Sequence, residues 1–468
     1  MQISVCEPEQ TLRRKTKTAF KFCLEESIRN KNIDLEQKLR FPLGVIAVWE
    51  YALKSNLPRT ALWDLSSLKC PQVIEAVKFA SYYYKRGVFC FPEENSYDRP
   101  TKTTQHFDVS FEKTLPLSHL ELTDSFYIID AKVYRLYPIL QKLSSEYLLF
   151  EVSENLKNLQ GLSIILERFY MTNKAKKIVV IGGGILIDLC TFAVHLLGLE
   201  IIVYPSTLLA MVDVAISGKT GINFMPYGKN MLGSFFFPTR VHIYPNFLKT
   251  LSIREFYSGA AECFKHILLL DNEDLLEELA QITSNNKIED MYSMLPLLIK
   301  VKSDIIQKDP YEHNIRKTLN LGHTLAHALE ALSQSRALSP SLIISHGEAV
   351  MLGLVFAILL SRELKCISES KCNRLIHALK KSRCILSLRK IDQYLQINMK
   401  DLKSWQLLIP YLKQDKKQIS SENKSFLLWV ILKESTNCNK IKMQCEITSV
   451  SYPVLEKCWK RLVITLGG

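Results

Sequence analysis

The stretch KKIVVIGGG, Lys176 to Gly184, decides the fold class of the chain. A run of β-branched residues that ends in three glycines is typical of a buried parallel strand that runs into a tight turn. The backbone N–H groups of such a turn can approach the pyrophosphate of a dinucleotide, and Asp188 follows the turn. The motif is not GxGxxG, so by itself it predicts the strand and the turn but not the ligand.

Similar apolar strands flank this stretch on both sides. FYIID (Phe126 to Asp130) and YLLFEV (Tyr147 to Val152) precede it, with a predicted helix over Leu162 to Tyr170, and EIIVYP (Glu200 to Pro205) follows it. Short apolar strands that alternate with amphipathic helices predict a parallel α/β sheet.

After about Phe247 the pattern becomes mainly helical. SIRE, Ser252 to Glu255, predicts a capping box at a helix start. Further helices are predicted over Met294 to Lys308, Thr318 to Ser333 and His346 to Leu364. The predicted regions are an N-terminal extension of unknown role and partly helical over 1–122, an α/β domain over 123–250 and a helical domain over 251–468.

The composition indicates a globular protein. Hydrophobic residues make up 47% and charged residues 23% of 468, which excludes a disordered chain. The first ten residues have no basic segment followed by an apolar one, and apolar stretches such as Met351 to Leu360 are shorter than the roughly 20 residues that span a bilayer. The twelve cysteines contain no CxxC pair. We therefore expect a soluble cytoplasmic protein with free thiols and no membrane partner.

The net charge of +13 is spread along the chain. Small basic clusters such as Arg13 to Lys17 are typical of solvated faces, and the sequence contains no signature of a nucleic-acid-binding module. A surplus of lysine also suits an anionic small substrate. We expect no nucleic-acid partner.

Polar residues are densest between Pro205 and Gly233, just beyond a predicted strand. This segment combines glycines with the polar residues Asp213, Lys219, Asn223, Lys229 and Asn230. Lysine in a glycine-rich loop can supply a point charge to a phosphate group while backbone amides supply the geometry. The segment is therefore a candidate phosphate site.

A second candidate cluster has the composition of a metal site. In LNLGHTLAHALE, His323 and His327 are four residues apart and share one face of a helix. His346 opens SHGEAV, and Glu262 lies in AECFK. One carboxylate and two imidazoles are the ligands of a catalytic zinc with an open position. The spacing does not show which of His323 and His327 binds the metal.

These motifs together resemble the 3-dehydroquinate synthase and wider sugar-phosphate cyclase family. The shared order is GGG…D, PSTLLAxVD, GKTGIN, GKNMLG, AAECFK, RKTLNLGHTLAHALE, SHGEAV and QDKK, over about Phe126 to Leu432. The resemblance implies an α/β domain that binds NAD and a helical domain that binds zinc, or cobalt in its place. It also implies a homodimer and a phosphorylated seven-carbon sugar as substrate.

The resemblance assigns three groups of residues. Those that match the family's metal ligands are Glu262, His323 and His346. Those that match positions touching NAD are Asp130, Glu154, Lys157, Gly183, Gly184, Asp188, Thr207, Leu209, Asp213, Lys229, Phe247, Thr250, Leu251 and Glu255. Those that match the substrate site are Lys219, Asn230, Lys265, Lys302, Arg316, Asn320, His327 and either Lys416 or Lys417.

The family's chemistry explains these residue types. The metal chelates vicinal oxygens of the sugar, NAD takes a hydride and later returns it, phosphate is eliminated, and an aldol step closes the ring. Lys219, Asn230 and Asn320 would hold the phosphate. Lys265, Lys302 and Arg316 would suit the hydroxyls and carboxylate, and His327 would carry a proton.

Three positions depart from the family pattern. Ile187 stands where glycine is usual in the cofactor turn, and Ser206 replaces a threonine. Leu197 stands where the family has an arginine that reaches the neighbouring subunit's phosphate, with His195 nearby. Loss of a charge-assisted contact costs about 1.5–3 kcal/mol. This departure bears on substrate and rate.

Three functions follow from the resemblance. The first is 3-dehydroquinate synthase of aromatic amino acid biosynthesis, which cyclises 3-deoxy-D-arabino-heptulosonate 7-phosphate with loss of phosphate and which Asn320, His327 and Arg316 favour. The second is a sedoheptulose 7-phosphate cyclase of the 2-epi-5-epi-valiolone synthase type, which Leu197 and the N-terminal extension keep open. The third is a non-catalytic protein that binds NAD and metal.

Overall fold

A computed structural model describes residues 108–115, 122, 124–172, 175–224, 228–337, 339, 342–401, 404–414, 426–434 and 445–467. The described residues form two compact units. One contains residues 192–198 and the described part of 220–236, and the other contains the remaining described residues. No helix in the described ranges has the length and apolarity to cross a membrane.

A six-stranded sheet is the centre of the larger unit. Its strands in sheet order are β1 (Asp108–Phe111), β8 (Arg240–Ile243), β5 (Glu200–Pro205), β4 (Lys177–Gly182), β2 (Ser125–Asp130) and β3 (Tyr147–Phe150). Every neighbouring pair is parallel. Two-stranded sheets are formed by β6 (Lys219–Phe224) with β7 (Gly228–Phe235) and by β9 (Phe426–Leu432) with β10 (Cys445–Ser451).

The central strands form the core of the sheet. Residues 126–129 of β2 and 178–181 of β4 are at most 1% exposed. Continuous apolar strands of this kind are expected where a parallel sheet is covered on both faces. The predicted parallel α/β fold is therefore confirmed.

One strand lies outside the predicted limits of the α/β domain. β1 lies within the region assigned to an N-terminal extension, yet Asp108 pairs with Arg240 and Phe111 pairs with Ile243 in the sheet. The sheet thus begins before residue 123. A four-residue edge strand carries too little apolar pattern to be recognised. Of the predicted extension, only 108–115 and 122 are described.

Helices dominate the chain after β8, as predicted. In chain order the helices are α1 (Ala131–Leu136), α2 (Leu159–Met171), α3 (Gly184–Leu197), α4 (Leu208–Val212), α5 (Ile253–Leu270), α6 (Glu273–Ser284), α7 (Met291–Lys308), α8 (His323–Arg336), α9 (His346–Glu363), α10 (Glu369–Lys381), α11 (Leu388–Leu395), α12 (Ser404–Gln414) and α13 (Tyr452–Gly467).

The helix predicted over Thr318 to Ser333 starts five residues later than expected. A 3-10 turn covers Ile315–Asn320, and α8 begins after Gly322, whose φ of 78° is in the left-handed region. A right-handed helix cannot run through a left-handed residue, so α8 begins after Gly322, and α8 and α9 cross closely at this point, since a Cβ on Gly353 would lie 2.0 Å from the carbonyl oxygen of Gly322. This crossing brings the first turn of α8 against the middle of α9.

Side-chain caps fix where α5 and α9 begin. The Ser252 hydroxyl accepts a hydrogen bond from the backbone N–H of Glu255 at 3.3 Å, which is one of the two bonds of the capping box that SIRE predicted. At α9, Ser345 and Glu348 form both bonds of a capping box. The first residue of α9, His346, therefore sits on a well-defined backbone.

Candidate active site

Three helices bring one carboxylate and two imidazoles together. Glu262 lies in the middle of α5, while His323 and His346 are the first residues of α8 and α9. Glu262 Oε1 is 3.4 Å from His323 Nε2 and 3.3 Å from His346 Nε2. Because all three potential ligand atoms lie within 4.8 Å of one another, one metal ion could contact all three.

The outer nitrogens of both histidines face acceptors. His323 Nδ1 is 3.1 Å from the carbonyl oxygen of Leu321, and His346 Nδ1 is 3.4 Å from Glu330 Oε1. A proton on each Nδ1 leaves the Nε2 lone pair directed at the cluster, as metal binding requires. The residues therefore fit a divalent metal with an open position.

The electrostatics of the cluster differ between its two histidines. Burial lowers the pKa of His346, but the carboxylates of Glu330 and Glu262 outweigh burial and raise it to about 10. Burial also raises the pKa of Glu262, while Lys265 and His323 lower it well below its ordinary value. Positive charge is therefore favoured at His346, whereas burial, with Lys265 adding to it, lowers the pKa of His323.

His327 lies outside this cluster. It is one helical turn beyond His323, its ring is 5.5 Å from the ring of His323 in an edge-on arrangement, and its side chain is exposed. The structure thus separates the two histidines that the sequence left equivalent. His327 is placed where it could exchange a proton with solvent.

Buried lysines and acids alternate beside the cluster. Lys265 contacts Glu262 and is 3.9 Å from Asp213 Oδ1, and Asp213 in turn contacts Lys302. Lys265 and Lys302 are 2% and 3% exposed. Burial raises the pKa of Asp213, but Lys302 and Lys265 bring it to about 2, and burial lowers the pKa of Lys302 to about 8. Asp213, predicted for the cofactor, thus lies between two predicted substrate lysines.

Glu312 is a site residue that the sequence analysis missed. Its carboxylate contacts Lys219 and accepts a hydrogen bond from Asn320 Nδ2 at 2.9 Å, so it joins two predicted phosphate ligands. Glu312 has a φ of 60°, an unusual conformation for a residue with a side chain. No motif marks this residue, and only the turn-forming residues around it, Asp309 to Asn314, give a signal.

Arg316 is buried beside this turn. Its two terminal nitrogens donate to the carbonyl oxygens of Pro310 and Ser217. Asp309 accepts hydrogen bonds from the backbone N–H groups of His313, Asn314 and Arg316 at 2.7–3.0 Å. The side chains of Asp309 and Arg316 therefore both hold the backbone of the turn that contains Glu312.

The glycine turn lies at the topological switch point of the sheet. The chain continues from β2 to β3 on one side and then returns to β4 on the other. Asp130 ends β2 and Gly182 ends β4, and a Cβ on Gly182 would be 3.4 Å from the Cβ of Asp130. The crevice at the carboxyl ends of strands at a switch point is where open α/β sheets bind nucleotides.

Predicted cofactor residues surround this turn. A Cβ on Gly183 would be 3.2 Å from Thr207, whose hydroxyl caps α4 by accepting from Ala210 at 3.1 Å. Lys157 Nζ is 2.6 Å from Asp188 Oδ2. Burial raises the pKa of Asp188, while Lys157 opposes the change. Ile187 is 3% exposed in the first turn of α3, and its N–H donates to Gly183 at 3.1 Å, so the helix start accepts isoleucine.

The remaining predicted cofactor residues lie near element ends. Glu154 begins a 3-10 turn, and Leu209 is in α4. Phe247 and Thr250 lie in the 3-10 turn Pro245–Thr250, where Tyr137 touches the Phe247 ring and its hydroxyl is 3.0 Å from Thr250 Oγ1. Leu251 caps that turn, and Glu255 is in the first turn of α5.

Some predicted residues belong to the smaller unit or lie outside the described residues. Lys229 and Asn230 are on β7 of the smaller unit, where the N–H of Asn230 donates to Asn223 Oδ1 at 3.0 Å. Leu197 ends α3 in the same unit. Lys416 and Lys417 lie outside the described residues.

Comparisons with known proteins identify the family. Residues 147–258 match the family model of the 3-dehydroquinate synthase N-terminal region, and residues 259–418 match that of its C-terminal region. The 3-dehydroquinate synthase of Helicobacter pylori is 34% identical over 257 residues, which cover 54% of this chain and 72% of the relative. That of Campylobacter hominis is 31% identical over 265 residues, covering 55% and 74%.

Two solved structures share the fold. A 2-deoxy-scyllo-inosose synthase complexed with carbaglucose-6-phosphate, NAD+ and Co2+ gives a TM-score of 0.60 at 22% identity, covering 76% of this chain and 96% of the other. The 2-epi-5-epi-valiolone synthase of Streptomyces hygroscopicus with NAD+ and Zn2+ bound gives 0.58 at 20%, covering 79% and 99%. Given both family models and these relatives, the chain belongs to the 3-dehydroquinate synthase family of sugar-phosphate cyclases.

Proposed function

We propose that this protein is a 3-dehydroquinate synthase that cyclises 3-deoxy-D-arabino-heptulosonate 7-phosphate and releases phosphate. The observation that carries the proposal is the convergence of Glu262, His323 and His346 on one centre beside buried Lys265. The curated relatives named 3-dehydroquinate synthase support the choice of substrate. The dimeric state and the cytoplasmic location stay predictions.

The proposed cofactors are NAD and a divalent metal, zinc or cobalt. A metal bound by Glu262, His323 and His346 would supply Lewis acidity to vicinal oxygens, and NAD at the Gly182–Gly184 turn would accept and return a hydride. The two solved structures that share the fold contain NAD+ with Co2+ or Zn2+, which agrees with this pairing.

The buried lysines would bind the sugar's oxygens. Lys265 and Lys302 hold ammonium groups in a nearly solvent-free site, where an ionic hydrogen bond is stronger than in water. Burial lowers the pKa of Lys302 to about 8, and its ammonium contacts Asp213. These two lysines would orient the hydroxyls beside the metal.

Lys219 and Asn320 would bind the substrate's phosphate. Both contact Glu312, so an anion that displaced this carboxylate would find one cationic and one amide donor already close together. Asn230 matches a third phosphate ligand of the family, and His327 would carry protons between the site and solvent. Arg316 would support the turn through its two carbonyl bonds, and its positive charge would suit the substrate carboxylate.

A sedoheptulose 7-phosphate cyclase is the second candidate. Leu197 keeps it open, because the arginine that the family places there to reach phosphate is missing. Sedoheptulose 7-phosphate has no carboxylate, so it would not form an ion pair with Arg316. The two candidates differ in substrate only, so one assay separates them.

The test measures phosphate release by the purified protein with NAD and Zn2+, offered each sugar phosphate separately. Release from the heptulosonate with formation of 3-dehydroquinate supports the proposal. Release from sedoheptulose 7-phosphate alone would assign the second candidate. Release from neither, with NAD and metal bound, would indicate a non-catalytic protein.

A matched pair of variants tests the metal centre. Glu262→Gln keeps the shape of the side chain but removes the charge that faces both histidines, so we expect loss of bound metal and a drop in turnover on the order of a hundredfold. Glu278→Gln changes an exposed residue of the neighbouring α6 and should alter neither. Full metal content in Glu262→Gln would refute the assignment.

A further inference from the structure

One face of α8 carries a third polar residue that the proposed function does not use. His323, His327 and Glu330 are spaced four and three residues apart, so they lie along the same side of the helix. Glu330 closes the motif LNLGHTLAHALE. Its side chain is 18% exposed, which is low for a carboxylate.

His346 lies between two carboxylates. Its Nε2 is 3.3 Å from Glu262 Oε1, and its Nδ1 is 3.4 Å from Glu330 Oε1. The two ring nitrogens point in different directions, so the imidazole connects the centre of the cluster to Glu330. We propose that Glu330 is a positioning residue that accepts the Nδ1–H of His346 and holds the Nε2 lone pair on the metal.

The imidazole rings of His323 and His346 are restrained to different extents by their surroundings. His323 is 12% exposed and its Nδ1 faces the carbonyl oxygen of Leu321, a neutral acceptor that lies two residues away. His346 is 31% exposed, so packing restrains its ring less. A charged acceptor makes a stronger hydrogen bond than a neutral one and also makes the imidazole a better donor to a metal.

The backbone of His346 is held independently of Glu330. The capping box of Ser345 and Glu348 fixes the start of α9, and Arg254 binds Glu348 at 2.8 Å and the carbonyl oxygen of Ile343 at 2.8 Å. These bonds leave rotation of the imidazole about its own side-chain bonds unrestrained. The contact with Glu330 restricts this rotation, so Glu330 orients the ring and does not determine the backbone at the start of α9.

The inference rests on the proposed metal site, and a binding measurement tests it without turnover. The apparent dissociation constant of Co2+ is measured by chelator competition for the wild type, Glu330→Gln and Glu330→Ala. We expect about a tenfold weaker affinity for Gln, whose amide oxygen still accepts a hydrogen bond, and up to about a hundredfold for Ala. The visible absorption of the bound Co2+ should change in the Ala variant.

Glu277→Gln is the matched control. Glu277 is also close to a histidine Nδ1, at 4.0 Å from His377, but this pair is on the surface of α6 and α10. This variant should bind Co2+ like the wild type. All metal-free variants should unfold in a single cooperative urea transition and be fully folded under the conditions of the binding measurement, which separates a loss of positioning from a loss of fold.

Two outcomes would count against the inference in different ways. If Glu330→Ala binds Co2+ within twofold of the wild type with an unchanged spectrum, Glu330 does not position His346. If the wild type itself binds no Co2+, Zn2+ or Mn2+, the proposed metal centre fails and this inference fails with it.

Discussion

The guanidinium of Arg316 holds two stretches of backbone together. It is 2% exposed and donates to the carbonyl oxygens of Pro310 and Ser217, which are far apart in sequence. Only a planar group with several N–H donors can reach both acceptors at once. At the scale of single residues, the site therefore depends on side chains that hydrogen-bond to the backbone as well as on side chains that would bind the substrate.

Arg316→Lys should destabilise the protein. A single ammonium cannot replace both bonds, and one lost charge-assisted hydrogen bond in a buried place costs about 1.5–3 kcal/mol. The free energy of unfolding from urea titration measures this cost. Arg374→Lys, which weakens an exposed pair with Glu273, should cost less than about 1 kcal/mol. Equal losses in the two variants would contradict the structural role of Arg316.

His266 should make the protein sensitive to acid. The side chain is fully buried, and neither ring nitrogen hydrogen-bonds to any described residue. Burial, with Lys265 adding to it, lowers the pKa of His266 to about 3 from 6.5. The unfolded chain therefore takes up a proton below pH 6.5 that the folded chain does not, so the free energy of unfolding falls as the pH decreases from 6.5 toward 3.

The variant His266→Phe isolates this contribution. Phenylalanine has a similar volume and buries no unpaired nitrogen, so its stability at pH 7 should equal or exceed that of the wild type. The difference between urea midpoints at pH 7 and pH 5 should be smaller for the variant. An identical pH dependence in both proteins would show that other groups cause the acid sensitivity.

At the scale of elements, the crossing of α8 and α9 sets the distance between the two histidines. Gly322 and Gly353 allow the helices to touch backbone to backbone. His323 follows Gly322 directly, and His346 starts the partner helix two turns before Gly353. The geometry of the candidate metal site is thus fixed by two residues that carry no side chain.

Gly353→Ala should disturb both stability and metal binding. The new Cβ would lie 2.0 Å from the carbonyl oxygen of Gly322, so the helices must separate, and overpacking of this kind typically costs 1–3 kcal/mol. We expect a lower urea midpoint together with weaker Co2+ binding. Gly467→Ala is the control, because its Cβ meets only the flexible tip of Leu388 at 3.0 Å. Wild-type Co2+ affinity in Gly353→Ala would contradict the link between the crossing and the site.

The elements differ in how far the sequence predicts them. The apolar runs of β2, β4 and β5 and the capped helix α9 carry strong local signals, and the structure confirms them. The close approach of Gly322 to Gly353 and the pairing of β1 with β8 join residues that are distant in sequence, so neither is encoded locally. The contacts of Glu312 with Lys219 and Asn320 likewise arise only after the chain has folded.

At the scale of the whole molecule, the candidate metal site connects helices that are distant in sequence. Glu262, His323 and His346 come from α5, α8 and α9. A metal that binds only the folded chain would stabilise it by about 2.7 kcal/mol at a concentration one hundred times the dissociation constant. Co2+ should therefore raise the urea midpoint of the wild type but not of Glu262→Gln, and an equal rise in both would place the stabilising ion elsewhere.

The parallel pairing of β1 with β8 has a consequence for the order of folding during synthesis. Ser110 and His242, which contact each other at 2.7 Å across these strands, are 132 residues apart. At typical ribosomal rates of 5–20 residues per second, β1 must wait roughly 7–26 s after its synthesis before its partner exists. During that interval β2, β3, β4 and β5 can assemble. Among the described strands of this sheet, β1 therefore stays unpaired for the longest time and is the most exposed to wrong pairing.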